Sequence, residues 1–166
     1  MEVENVQKIT TNLWFDNEAE EAAKFYTSIF KNSRISRIIR NGKESHESSL
    51  EGEVMTVEFE LEGQKYVALN GGPKYKFTEA ISFIINCETQ EELAYYWERL
   101  SEGGGEKAQV CGWLKDRFGV SWQVISATLN DMVSDEDTKK SERVMKALLK
   151  MKTKIDMEEL RQAYEG

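Results

Sequence analysis

The chain states one pattern twice. KITTNLWF alternates and is rich in β-formers, so it reads as a strand. NEAEEAAKFYTSIF follows at helical period, with Ala22, Tyr26, Ile29 and Phe30 on one face. Asn17 is placed to cap that helix, with Glu20 three residues on as in a capping box. Strands are then expected at Arg34–Arg40, Val54–Leu61 and Lys65–Asn70, the last two joined by a hairpin turn at Glu62-Gly63. Gly71-Gly72-Pro73 holds the only proline and breaks the pattern. After it the order restarts. AISFIIN is a strand, and TQEELAYYWERL is a helix with a Thr89/Glu92 capping box. Leu93, Tyr96, Trp97 and Leu100 share its face, and Gly103-Gly104-Gly105 ends it. Three short strands are expected next, at Glu106–Cys111, Gly112–Lys115 and Ser121–Ser126.

The order is therefore βαβββ, then βαβββ. Phe25-Tyr26 and Tyr95-Tyr96 stand in matching places, as do Glu18/Glu88 and Glu21/Glu91. Each unit has one helix to cover one face of its sheet. The other face must also be buried, which points to an α+β fold whose two sheets face each other as an incomplete barrel around a cavity. Residues 1–126 are read as this domain, with repeats at about 8–70 and about 80–126. Residues 127–166 form a helical extension, with an apolar stripe at Val144, Ala147, Leu148 and Met151 and a last helix capped by Asp156 and Glu159.

Charge and composition exclude some functions. The net charge of −8 opposes nucleic acid as a partner. The basic run from Lys139 to Lys154 reads as a solvated helix face. No apolar run approaches the ~20 residues that span a bilayer, and MEVENVQKITTN lacks the pattern of a signal peptide. Cys87 and Cys111 are the only cysteines and read as reduced thiols, so a cytoplasmic location without membrane association is expected.

Three stretches carry a family resemblance: LWFDNEAEEAAKFYTSIFKNSRI, ALNGGPKYKFTEAISFIINCETQEELAYYWERLSEGG and CGWLKDRFGVSWQVI. With their paired βαβββ pattern they resemble the vicinal oxygen chelate superfamily, which includes glyoxalases, extradiol dioxygenases and fosfomycin-resistance proteins. They are most similar to its PhnB-like branch, labelled 3-demethylubiquinone-9 3-methyltransferase domains. The resemblance implies a glyoxalase-like fold and a homodimer. It places the superfamily's metal-ligand positions at Thr11, Ala68, Ala80 and Gln123, where a divalent metal would want His and Glu. Two of these positions have no donor atom, so Gln123 is read as a pocket wall and the cavity as metal-free, with no cofactor. The methyltransferase label meets an objection. Neither glycine cluster is a glycine-rich turn between a strand and a helix, so the label reads as a family name.

The resemblance also assigns faces. Thr11, Leu13 and Phe15 are expected to look into the cavity, with Asn12 and Trp14 toward the helix. On the closing strand Ser121, Gln123 and Ile125 face the cavity, and Trp122 packs under the helix. Asn70 and Ser82 add polar atoms. The expected ligand-binding set is Thr11, Leu13, Phe15, Asn70, Ser82, Ser121 and Gln123, a mostly apolar lining for a small organic molecule. The same side chains could simply fill the space. No residue is given a catalytic role: His46 reads as a surface-loop residue, Cys111 as an inert thiol, Trp113 as packing or a pocket wall, and Asp116 and Gly119 as turn residues. Two rivals stand beside this reading. One is a metal enzyme with displaced ligands at Glu79, His46 and Gln123. The other is a scaffold or regulatory protein that uses residues 127–166 as its contact.

Overall fold

The computed structural model describes residues 6–42, 51–105, 107 and 109–166. The chain packs as two compact units, Met1–Lys76 and Phe77–Gly166. Among the described residues no helix is long and apolar enough to cross a membrane.

The first unit is α+β, with elements β1 (Thr11–Phe15), α1 (Ala19–Ile29), β2 (Arg34–Arg40), β3 (Val54–Leu61) and β4 (Gln64–Asn70). The sheet order is β1-β4-β3-β2, with β1 parallel to β4 and the other pairs antiparallel. Glu62 and Gly63 both have positive φ, 48° and 78°, which is the backbone of a tight hairpin turn between β3 and β4. The small Ala19, Ala22 and Ala23 let α1 lie close to the sheet, and the Tyr26 ring stacks on Phe59 with centroids 6.2 Å apart. Val57, Phe59 and Leu61 alternate as the buried side of β3. Together they fix which face the helix covers.

That face corrects the parity expected for β1. Paired residues in a ladder share a face. Phe59 pairs with Tyr66, which pairs with Thr11, and Val57 pairs with Ala68, which pairs with Leu13. Thr11, Leu13, Phe15 and Asn70 therefore stand on the α1 side, and Asn12 and Trp14 stand on the other. TNLWF has large apolar residues at both parities, so its own pattern could not choose. The strict alternation of β3 does, because a shift of one residue would turn its whole apolar set outward.

The cap of α1 also differs from expectation. Neither Asn17 nor Glu20 caps it. The Ala19 amide donates instead to Asn70 Oδ1 at 2.8 Å, and Asn70 Nδ2 donates to the Val54 carbonyl at 3.0 Å. One amide side chain thus ties the helix start to two strands.

The second unit has β5 (Ser82–Cys87), α2 (Gln90–Ser101), β6 (Trp113–Lys115) and β7 (Ser121–Ser126), in sheet order β5-β7-β6. Thr89 Oγ1 accepts from the Glu92 amide at 3.1 Å, so the expected cap of α2 is formed. The expected strand at Glu106–Cys111 is not. Among the described residues of that stretch there is only an isolated bridge from Val110 to Trp113. Cys111 and Gly112 have φ of 51° and 83°, a left-handed pair that turns the chain out of extended backbone. Their amides donate to the Met151 and Thr153 carbonyls at 3.0 and 3.1 Å, so the C-terminal segment replaces the missing ladder.

Three helices complete the unit: α3 (Leu129–Val133), α4 (Thr138–Leu148) and α5 (Met157–Glu165). Asp156 caps α5 through the Glu159 amide at 3.0 Å, as its spacing implies. Leu129, Val144, Ala147, Met151, Ile155 and Leu160 are buried, so the extension packs as part of this unit.

Candidate functional site

The sheet of the second unit has two unlike faces. Leu114, Trp122, Val124 and Cys87 are buried on one, and Glu92 of α2 is close enough to act on the Cys87 thiol. This is the face under α2. The ladder puts a different set on the other face. Lys115, Ser121 and Ser82 form one row across β6, β7 and β5. Trp113, Gln123 and Ile84 form the next, and Ile125 and Asn86 continue it. Three of the residues expected from the sequence, Ser82, Ser121 and Gln123, are thus brought together, and Trp122 lies under the helix as expected.

Polar atoms on this face are not all satisfied. Gln123 Nε2 donates to Ser82 Oγ at 2.8 Å. Ser121 is 2 % exposed, yet its hydroxyl has no hydrogen-bond partner among the described residues. Buried hydroxyls are nearly always paired, so this one is an exception that asks for a partner. Ile84 is 52 % exposed and Trp113 is half-buried, giving apolar surface beside the polar row. At the edge of the row Lys115 Nζ is in a short ion pair with the Glu79 carboxylate. That contact holds the Glu79 carboxyl below the usual range for Glu. Lys115 was missed by sequence reasoning. Its parity with Trp113 was a signal for it, since both lie two apart on β6.

In the first unit the face away from α1 carries Asn12, Trp14, Val67 and Leu69. Trp14 Nε1 donates to the Gly72 carbonyl at 2.9 Å, and the Tyr75 ring meets it edge-on at 5.0 Å. A Cβ on Gly71 would lie 2.3 Å from the Trp14 ring, so only glycine fits there. At the other end of β4, a cleft of about 550 Å³ is lined by Thr10, Arg34, Arg37, Glu58, Glu60 and Lys65, among others. Its charges are largely spent on one another: Arg34 pairs with Glu60 at 3.1 Å and Arg37 with Glu58 at 3.5 Å. Thr11, Leu13, Phe15 and Asn70 do not face this cleft side. Leu13 and Phe15 are core under α1, and Asn70 is its cap.

The donors of the described residues do not fit a divalent metal. Among the described residues no three His, Cys, Asp or Glu gather. Of the four positions implied by resemblance, Thr11 and Ala68 share the α1 side of the first sheet, Ala80 is in a turn, and Gln123 already bonds Ser82. Of the displaced set, Glu79 is held by Lys115, and His46 lies outside the described residues.

Cys87 is not poised as a nucleophile. A cavity of about 280 Å³ is lined by Cys87, Ser126, Thr128, Met132, Met157 and Leu160. Burial, with the Glu92 charge adding to it, pushes the Cys87 thiol up to about 12, which keeps it protonated. Cys111 Sγ donates to the Met151 carbonyl at 3.3 Å and belongs to the turn that receives the C-terminal segment.

A family model described as 3-demethylubiquinone-9 3-methyltransferase matches residues 7–125. The chain belongs to the 3-demethylubiquinone-9 3-methyltransferase family. Its solved relatives include a PhnB protein from Bacillus cereus, 37% identical, with 70% of this chain and 97% of that one covered and a TM-score of 0.62. They also include protein PA1353 from Pseudomonas aeruginosa, 20% identical, covering 70% and 95% with a TM-score of 0.56, which is a likeness of fold. A glyoxylase/bleomycin resistance protein/dioxygenase domain from Frankia is 15% identical, covering 71% and 90% with a TM-score of 0.44. No match was found among curated proteins. The family name is a label and does not by itself assign an activity. In this member of the 3-demethylubiquinone-9 3-methyltransferase family Gly103, with φ of 74°, follows the end of α2, and a Cβ on Gly104 would meet the Lys115 carbonyl at 2.2 Å. Gly103 serves a left-handed turn and Gly104 close packing, both after a helix and not in a phosphate-binding turn before one.

Proposed function

We propose that the chain binds a small organic molecule, without a metal or other cofactor, on the face of the second sheet that α2 leaves open. The observation that carries this reading is the buried Ser121 hydroxyl without a partner, set beside the Gln123–Ser82 pair. Ile84 and Trp113 flank it with apolar surface, the combination of apolar wall and few polar anchors that small-molecule sites use. The expected homodimer belongs to the same proposal and is read by light scattering of the eluting protein.

The test is an amide-resolved NMR titration of the full chain with a panel of small aromatic and carbonyl compounds. Binders are expected to shift the amides of Ser82, Ser121 and Gln123. Gln123→Ala should weaken them by about fivefold, the loss of one good hydrogen bond of roughly 1 kcal/mol. Shifts confined to the first unit, or indifferent to Gln123→Ala, would overturn the proposal.

A further inference from the structure

We infer that Lys115 and Ser121 form a subsite for the carboxylate of a small organic acid, and that Glu79 fills it in the unliganded chain. The inference rests on the reading of this sheet face as the ligand site. β5 and β6 are not neighbours, since β7 lies between them. Lys115 on β6 pairs in register with Ser121 on β7, and Ser121 with Ser82 on β5. Glu79 stands three residues before Ser82, on the β5 side. The Lys115–Glu79 ion pair therefore reaches from the β6 side to the β5 side across the end of β7, in the row that holds Ser121.

Two features make this more than a surface ion pair. The first is the Ser121 hydroxyl in the same row, 98 % of whose residue surface is removed from water while its oxygen stays unpaired. An incoming carboxylate takes the place of Glu79 on Lys115 and also accepts the Ser121 O–H, a bond that is absent while Glu79 is in place. The second is the looseness of the present occupant. The Glu79 side chain is 64 % exposed and that of Lys115 31 %. Exposed ion pairs are weakly held, so exchanging one carboxylate for another costs little. Trp113 and Ile84 lie one step along their strands, about 7 Å from the row, and receive the body of the acid. The charge of −8 repels anions at long range, so the subsite selects acids whose apolar part adds contact.

Benzoate is the probe and benzyl alcohol its neutral control, each titrated into the full chain with the amides of Lys115, Ser121 and Gln123 as readout. E79Q removes the internal competitor without removing a core contact, and should bind benzoate several-fold more tightly than the unaltered chain. K115M in the E79Q background should lose that gain, and S121A should reduce it. Benzyl alcohol should be indifferent to E79Q. The inference is overturned if E79Q leaves benzoate affinity unchanged or weakens it. If benzyl alcohol then still shifts these amides, the face remains a ligand site and only the acid class falls. If neither probe moves them in any variant, the reading of the face falls with it.

Discussion

Asp116 is buried with both carboxylate oxygens engaged. Oδ1 accepts from the Phe118 and Val120 amides at 2.9 and 3.0 Å, and Oδ2 accepts from Trp122 Nε1 at 2.9 Å. The turn into β7 is closed by this one group. Asp116→Ala leaves three donors short of an acceptor and should cost about 2–4 kcal/mol, read as a lower urea midpoint with altered Trp emission. Cys87 gives a pH test. Its thiol is raised from 9.0 to about 12 by burial, with Glu92 adding to the shift. A group raised in the folded state contributes stability that is fully present below its unfolded value and fades as pH climbs through the folded one. The stability that Cys87→Ala removes from this source should therefore vanish between about pH 9 and 12, and in the native chain at pH 8 iodoacetamide should leave Cys87 unmodified. Some of this was legible in the residues. Asp116 and Gly119 read as a turn because Asp and Gly are what such turns use, and Trp122 read as core because β7 alternates. Asn70 did not read as a helix cap, because its partner amide at Ala19 is 51 residues away in sequence.

The elements show where local pattern suffices and where it does not. The caps of α2 and α5 lie within four residues of what they bond, so spacing was enough to place them. The stretch before β6 failed for the opposite reason. Its amides are satisfied by carbonyls some 40 residues downstream, and nothing local forces Cys111 and Gly112 into left-handed backbone. The same contacts decide what the C-terminal helices do. Gln90 reaches from the start of α2 to both sides of Asp156, donating to the Ile155 carbonyl at 3.1 Å and accepting from the Met157 amide at 2.8 Å. Arg143 of α4 donates to the carbonyls of Ala163 and Tyr164 at 2.8 and 2.9 Å, closing the C-terminal end of α5. A detachable contact arm would leave a folded core when residues 127–166 are removed. Here removal strips acceptors from Cys111 and Gly112 and uncovers their surroundings. The truncated chain should unfold at a clearly lower urea concentration and be cut by protease in its second half. Within the native chain, Leu160→Ala should cost about 2–4 kcal/mol, since the side chain is 1 % exposed.

For the chain as a whole, the choice between a binder and a metal enzyme turns on donors. The doubled pattern was legible because each half repeats strand, helix and strands with turn residues between them. Of the expected set, Ser121 and Gln123 share one face of their sheet with Ser82, while β1 is apolar on both sides and was placed by its neighbours. What both faces now present is poor in metal ligands. Their carboxylates are already engaged, Glu58 by Arg37, Glu60 by Arg34 and Glu79 by Lys115. A divalent ion would have to displace a cation from each carboxylate it took, and would find amides and hydroxyls as the remaining donors, a weak set for zinc or iron. Protein purified without chelator should therefore carry substoichiometric metal, and its Tm should be the same with and without chelator. The test is sensitive. A native site filled at one hundred times its Kd adds about 2.7 kcal/mol, which for a domain of this size raises Tm by roughly 5–10 °C. A stoichiometric ion with a shift of that size would make the chain a metal protein. His46→Ala would then be the next variant, because a loss of the bound ion would place the missing imidazole at the site.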